Sequence, residues 1–284
     1  MSNFDKLFEE SVDLYLPPQP AEEPAESPQE ISRRKMLAAM GITLGVLVIP
    51  VGYVRGETAE HPIPPPAEEY DWTKHYWGYA VDTTKCIGCC ACIRGCRAEN
   101  DVPAGYFRTW IERYTILGES GEGEVIVDST KDESIGFTEL EGHDTKNAKT
   151  FFVPKICNHC EKSVCSQVCP VGATYRTIDG VTLVDPKRFI GCGYCVQACP
   201  YGSRFINPVT HTADKCTLCY HRITKGMMPA CVQSCPKGAR IFGDLKDPNS
   251  AISSLLRQGR YRVLKPEMGT HPKCYYIGLD REVI

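Results

Sequence analysis

The chain has 284 residues, 17 of them cysteine, and a formal net charge of -3. So many cysteines in a chain of this length do not fit a small disulfide scaffold, which is normally shorter than about 100 residues. No basic stripe marks a nucleic-acid surface, so no nucleic acid is expected as a partner. The high glycine and proline contents indicate instead a loop-rich fold organised by cofactors.

The N-terminal part predicts disorder followed by an export signal. Prolines and acidic residues alternate in residues 1–31, which lack the apolar residues of a core and are predicted to be disordered. Arg33 and Arg34 then precede an apolar run at 36–54. A twin arginine before such a run is typical of the Tat export signal, which predicts a periplasmic protein. The alternative is a chance arginine pair before an ordinary membrane helix.

The same run could remain as a membrane anchor. Residues 36–54 are about long enough to span a bilayer, and the positive flank predicts a cytoplasmic amino end. No clean cleavage site follows, so we favour an uncleaved anchor within residues 32–56 over a cleaved signal. The proline-rich residues 57–72 would then be a linker that holds the folded part off the membrane.

A cysteine-bearing domain is predicted over residues 73–245. Residues 116–149, rich in Glu and Asp, are predicted to be an irregular surface insertion in this domain. Polar and β-branched residues alternate on both sides of Asp179 and Gly180, which predicts a β-hairpin with a type I′ turn.

Residues 246–284 are predicted to form a C-terminal extension. Asn249 or Ser250 is a candidate N-cap for a short helix that runs through Arg257 and ends at Gly259.

Fifteen of the cysteines fall into four short runs. The runs are Cys86, Cys89, Cys92 and Cys96; Cys157, Cys160, Cys165 and Cys169; Cys192, Cys195 and Cys199; and Cys216, Cys219, Cys231 and Cys235. Thiolates separated by two residues on a tight loop, with a further cysteine after three more residues and usually before proline, form the pattern of ferredoxin-type iron-sulphur motifs. A structural zinc site would need two isolated cysteine pairs. No c-type haem motif, dinucleotide fingerprint or P-loop occurs.

From Trp77 onward the chain resembles the four-cluster ferredoxin-like subunits of the complex iron-sulphur molybdoenzyme group (NrfC-, PsrB- and HybA-like). Residues 85–89, 199–202, 213–216, 219–222 and 238–244 carry the resemblance. It implies an α+β, loop-rich fold of two fused, pseudo-symmetric bacterial ferredoxin modules with two clusters each, preceded by the transmembrane or signal segment. The exported form is most similar to the ferredoxin subunit (DsrO) of the sulphite-reduction-associated DsrMKJOP complex. Counterparts in quinone-reductase and alternative-complex-III assemblies are close competitors.

The resemblance also implies how the runs pair, the first with the fourth and the second with the third. The implied ligand sets are Cys86, Cys89, Cys92 and Cys235 (set A); Cys96, Cys216, Cys219 and Cys231 (set B); Cys157, Cys160, Cys165 and Cys199 (set C); and Cys169, Cys192 and Cys195 (set D). Each of the first three sets would hold a 4Fe-4S cluster.

Set D is short of one ligand because Phe189 stands where the family motif has its first cysteine. Phenylalanine cannot bind iron, and an apolar wall suits a 3Fe-4S cluster, which lacks one corner iron and should have a raised potential. A borrowed ligand, an empty site and a 4Fe-4S cluster with a non-cysteine ligand are the alternatives. Cys90 and Cys274 are left over, and Cys90 is predicted to be a small buried apolar residue.

Three histidines and a lysine are further candidates. His159 lies between two cysteines, but the spacing already supplies thiolates, so we expect it beside the ligands or at the surface. His211, Lys215 and His221 are candidates for a quinone or partner surface.

The function implied by the resemblance is electron transfer through four clusters. The partners would be a membrane quinone-interacting (NrfD-like) subunit and another redox subunit, a multihaem cytochrome c or a molybdopterin-type protein. A self-contained iron-sulphur reductase is the alternative from another class, and the phenylalanine wall disfavours it. A structural assembly subunit whose clusters only staple the fold is a third hypothesis.

Overall fold

The computed structural model describes residues 70–118, 123–130, 136–140, 143 and 145–283. The predicted disordered segment at 1–31, the twin-arginine segment at 32–56 and the linker as far as residue 69 lie outside these ranges. Within the described ranges, no helix combines the length and the apolar character needed to cross a membrane. The last linker residues, 70–72, contact the domain, since the Tyr70 hydroxyl donates to Asp179 at 2.6 Å.

The described part of the chain is built from short elements. The strands are β1 (Trp77–Asp82), β2 (Thr109–Ile116), β3 (Val125–Ser129), β4 (Lys149–Ile156), β5 (Thr174–Arg176), β6 (Thr182–Val184), β7 (Phe205–Ile206), β8 (Ala213–Asp214), β9 (Arg240–Asp244) and β10 (Cys274–Ile277). The α-helices are α1 (Ala91–Asn100), α2 (Val164–Gln167), α3 (Tyr194–Gln197), α4 (Tyr220–Ile223), α5 (Ala230–Gln233) and α6 (Ala251–Arg257). The mixture agrees with the predicted α+β, loop-rich fold.

A three-stranded sheet in the order β10-β1-β9 forms the centre of the core. β1 pairs with β9 antiparallel and with β10 in parallel, which places Tyr79 opposite both Phe242 and Cys274. Because β1 is paired on both edges, nearly all of its residues are buried. Residues 274–277 of the predicted C-terminal extension therefore belong to the same sheet as the start of the domain.

A second sheet, in the order β3-β2-β4, includes part of the predicted acidic insertion. The prediction that the insertion is irregular is wrong for β3, whose residues pair with β2 in an antiparallel register. The pairing covers an edge of β2 that would otherwise expose unpaired backbone groups. Arg113 and Asp128 reinforce it with an ion pair of 2.7 Å across the two strands.

The predicted hairpin is confirmed, but its turn type is not. β5 and β6 pair antiparallel, and the Gly180 amide donates to the Thr177 carbonyl at 3.0 Å. A type I′ turn requires positive φ at two successive residues, whereas only Gly180 in this turn has it, at 85°. Asp179 is held in place by tertiary contacts instead, because its buried carboxylate accepts hydrogen bonds from Tyr70 and Tyr220.

The predicted C-terminal helix is confirmed as α6. Ser250 is the N-cap, and its side-chain oxygen accepts a hydrogen bond from the Ser253 amide at 3.2 Å. Gly259 follows the helix with a φ of 68°, in the left-handed region that favours glycine.

The helices that follow the cysteine loops pack in two pairs. α1, which follows the first run, contacts α5 of the fourth run, and α2 of the second run contacts α3 of the third. These pairs have the arrangement expected of two ferredoxin modules, one made from the first and fourth runs and the other from the second and third.

Candidate cluster-binding sites

The same backbone turn opens all four cysteine runs. The residue two positions after the first ligand position has a positive φ in every run, at 68° for Gly88, 42° for His159, 81° for Gly191 and 54° for Leu218. This left-handed residue turns the chain back on itself, so that the amides which follow face the sulphur. In the fourth run the Leu218 amide donates to Cys216 Sγ at 3.2 Å.

Phe189 occupies the ligand position of its turn. The Cys86 amide donates to the carbonyl three residues earlier at 3.3 Å, and the Phe189 amide makes the equivalent bond at 3.4 Å. Both turns also carry an ion pair one residue further back, Lys85–Asp82 at 3.0 Å and Arg188–Asp185 at 3.4 Å. The third run therefore has the conformation of a complete motif with a phenyl ring in place of the first thiol.

The four cysteines of set B line one cavity. Cys96 comes from α1, whereas Cys216, Cys219 and Cys231 come from the fourth run more than 100 residues later. The Asn100 amide nitrogen lies 3.6 Å from Cys96 Sγ and 3.7 Å from Cys219 Sγ. Thiols from two distant runs thus surround one cavity, and the side-chain amide of Asn100 lies beside two of them.

The four cysteines of set A line a second cavity. Cys86, Cys89 and Cys92 from the first run face Cys235 from the fourth, and the guanidinium of Arg240 completes the wall. The Ala239 amide donates to Cys235 Sγ at 3.3 Å. Sets A and B adjoin, because the Cys92 thiol of set A lies within electrostatic reach of the Cys231 thiol of set B.

Set C brings the second and third runs together. The Cys160 thiol lies within electrostatic reach of those of Cys157, Cys199 and Cys165. Burial is the largest influence on Cys160 and raises its pKa to about 12. A thiol with so high a pKa stays protonated unless iron displaces the proton.

Set D combines buried and exposed thiols. Cys195 is buried in α3, whereas Cys192 is exposed, and Cys169 follows α2, which packs against α3. Burial raises the pKa of Cys169, but backbone amides, that of Thr174 foremost, donate to its sulphur and hold the pKa below its ordinary value. The Thr174 amide is 3.4 Å from this sulphur.

Comparisons with known proteins agree with this geometry. Two models described as 4Fe-4S dicluster domains match residues 85–173 and 148–245. The B subunit of tetrathionate reductase from Salmonella typhimurium is 42% identical over 252 residues, covering 88% of this chain and 89% of the relative. Its counterpart from Archaeoglobus fulgidus, also named as a tetrathionate reductase component, is 46% identical, covering 71% and 81%. Protein NrfC of Escherichia coli K12 is 40% identical, covering 71% and 80%.

The chain belongs to the NrfC-like family of iron-sulphur electron-transfer subunits of reductase complexes. The family predicted from the sequence is confirmed. None of the relatives named above is the DsrO subunit of the sulphite-reduction complex, so that closer resemblance stays a prediction.

Buried polar atoms of this NrfC-like chain fit the presence of iron-sulphur clusters. Nε and Nη2 of Arg204 are buried and have no hydrogen-bond partner among the described residues. The same guanidinium lies beside the sulphur atoms of Cys165, Cys157 and Cys195. A buried cation that faces thiols without a carboxylate partner is suited to an anionic cofactor held by those thiols.

Three more cations lie beside ligand cysteines, two of them buried. Arg240 and Lys215 are 3% and 1% exposed. Arg108 lies near Cys96 and Cys216. The prediction that Lys215 lines a partner surface is therefore wrong, because its side chain is buried. Sequence reasoning missed these cations as a group, although Lys215 directly precedes a ligand cysteine.

The remaining predicted residues lie outside the four sets. Cys90 is fully buried, as predicted, and donates to the Gly88 carbonyl at 3.3 Å. Cys274 is fully buried in β10. His159 is buried with its Nδ1 accepting from the Thr182 amide at 3.0 Å, which places it beside the ligands, one of the two predicted locations.

Proposed function

We propose that this chain relays electrons through four clusters, with 4Fe-4S clusters in sets A, B and C and a 3Fe-4S cluster in set D. The supporting observation is that cysteines far apart in sequence line common cavities as sets A and B. When bound, each cluster takes up and gives up one electron at a time. The protein's part is to hold the clusters by their thiolates, to shield them from water and to set their potentials.

Neighbouring sets suggest the order of the relay. Set A adjoins set B within the first and fourth runs, and sets C and D share the second and third runs. Between the two modules, the thiol of Cys216 in set B is influenced electrostatically by that of Cys157 in set C. The order A, B, C, D is therefore the path that the proposed relay follows.

The loop of the third run supports a 3Fe-4S cluster in set D. Phe189 occupies the first ligand position, and the loop keeps the left-handed turn of a complete motif at Gly191. Three thiolates and a phenyl ring leave one corner of the site without a ligand. A 3Fe-4S cluster has no iron at one corner, so it fits this arrangement better than a cluster that needs a fourth thiolate.

We further propose that the chain works between a membrane quinone-interacting (NrfD-like) partner and a second redox subunit, a multihaem cytochrome c or a molybdopterin-type protein. Relatives named as the B subunits of tetrathionate reductase, selenate reductase and sulfite dehydrogenase support a place in a multi-subunit oxidoreductase. The twin arginine at Arg33 and Arg34 supports Tat export to the periplasm, and the run at 36–54 supports a membrane anchor.

Anaerobic purification followed by an EPR-monitored redox titration tests the relay. We expect iron and acid-labile sulphide for four clusters, the EPR signal of an oxidised 3Fe-4S cluster in the protein as isolated, and four reversible reductions. Clusters that never change redox state would refute electron transfer. Reduction of a small substrate by the purified chain with an artificial donor would favour the reductase alternative.

Fractionation of cells tests the location separately. The chain should be found in the membrane fraction and be accessible from the periplasm. Replacing both Arg33 and Arg34 by lysine should retain it in the cytoplasm. The same double change at Arg257 and Arg260, which are exposed, should leave the location unaltered. Export that is unchanged in the twin-arginine variant would refute the Tat assignment.

A further inference from the structure

Of the buried cations among the described residues, three lie beside ligand thiols and form no ion pair with a carboxylate. Arg240, Lys215 and Arg204 are 3%, 1% and 4% exposed. Thiols, and not carboxylates, are the main groups that favour the charged form of each. An unpaired charge in a protein interior is costly, so the position of each one calls for an explanation.

Arg240 stands between sets A and B. Its guanidinium donates to the Tyr79 hydroxyl at 3.2 Å and to Thr109 Oγ1 at 2.8 Å, which hold it in place. Its charge acts on Cys92 of set A and on Cys231 of set B.

Lys215 stands between sets B and C, where the two modules meet. Its ammonium donates to the carbonyls of Thr182 and Cys216, the latter at 2.7 Å. Its charge acts on Cys216 of set B and on Cys157 and Cys165 of set C.

Arg204 stands between sets C and D. Nη1 donates to Thr174 Oγ1 at 3.1 Å, and Nε and Nη2 are buried without a hydrogen-bond partner among the described residues. Its charge acts on Cys165 and Cys157 of set C and on Cys195 of set D.

We propose that Arg240, Lys215 and Arg204 are bridging charges, one at each of the three steps of the relay, and that each raises the midpoint potentials of the two clusters on either side of it. The inference rests on the four-cluster relay proposed above. A reduced cluster carries one more negative charge than the oxidised one, so a nearby buried cation stabilises the reduced form. Clusters B and C each adjoin two such cations and clusters A and D one, so the protein favours the electron in the interior of the chain.

Arg108 provides the internal contrast. Its part-buried guanidinium also lies beside Cys96 and Cys216, but its Nε forms an ion pair with Asp214 at 2.8 Å. The carboxylate offsets most of its field at the clusters. Arg108 and Asp214 therefore form a neutral pair that positions the loop, and Arg108 is not a fourth bridging charge.

The test is an EPR-monitored redox titration of the holoprotein in three variants. Lys215→Met should lower two of the four midpoint potentials and leave that of the 3Fe-4S cluster in set D unchanged. Arg204→Gln should also lower two, that of the 3Fe-4S cluster and one of the two that Lys215→Met lowers. Lys85→Met is the matched control, because Lys85 precedes a ligand cysteine as Lys215 does, yet it is 53% exposed and paired with Asp82.

The outcomes separate the inference from the proposed function. Wild-type protein without redox-active clusters would refute the relay itself. Four reversible clusters whose potentials stay fixed in Lys215→Met and Arg204→Gln, or shift as much in Lys85→Met, would refute the bridging charges alone. Should the neutral variants lose clusters, Lys215→Arg and Arg204→Lys keep the charge. They should retain all four clusters near wild-type potentials, and a large fall in both would contradict the proposal.

Discussion

Replacing Phe189 by cysteine should convert set D into a complete four-thiolate site. The loop needs no rearrangement, because the backbone of the two turns is alike. The amide of residue 189 donates a hydrogen bond of 3.4 Å to the carbonyl three residues earlier, against 3.3 Å for the amide of Cys86, and Gly191 has a φ of 81° against 68° at Gly88. Removing the half-buried ring costs about 1–2 kcal/mol of burial, too little to unfold a domain that metal-thiolate bonds stabilise. Cluster content should change while the fold persists.

The expected gain is about one iron atom per chain, from about 15 to about 16, since a 3Fe-4S cluster becomes a 4Fe-4S cluster. The EPR signal of the oxidised 3Fe-4S cluster should disappear from the isolated protein, and the potential of this one cluster should fall. Phe189→Leu is the control, because leucine keeps an apolar wall without a ligand and should retain the signal. Wild-type protein that already contains four 4Fe-4S clusters, with no change in iron in Phe189→Cys, would show that another group supplies the fourth ligand.

Two further predictions concern the buried turn of the hairpin. Asp179→Ala leaves the hydroxyls of Tyr70 and Tyr220 without their acceptor and should lower the free energy of unfolding by about 3 kcal/mol; denaturant unfolding checks this, and a loss below about 1 kcal/mol would contradict it. Burial lowers the pKa of Lys273, which donates to the Gly180 carbonyl, to about 8. Between pH 8 and about 10.4 the unfolded chain therefore binds more protons than the folded one, so stability should rise with pH by up to about 3 kcal/mol. Melting temperatures measured over this pH range check the rise in stability, which Lys273→Met should abolish. A rise of equal size in the variant would assign the effect to other groups.

Local features of the sites could be predicted from the sequence. Two intervening residues leave a pair of thiols little conformational freedom, so the spacing of Cys86 and Cys89 already implies one loop. The cap at Ser250 depends on an amide only three residues away. The hairpin at residues 174–184 was predicted because it also depends on neighbouring residues, the alternation of polar and β-branched residues around Asp179 and Gly180. Its turn type was not, because hydrogen bonds from the distant Tyr70 and Tyr220 fix the conformation of Asp179 and override the local preference of an Asp-Gly pair.

By itself, the sequence determined the kind of ligand, the loops that carry the thiols and the missing ligand at Phe189, because each depends on residues a few positions apart. Only the tertiary structure decided that residues 274–277 complete the central sheet and that Arg240, Lys215 and Arg204 stand buried between the ligand sets. These features depend on contacts between residues that are distant along the chain, and no local pattern of residue types specifies which of those contacts form.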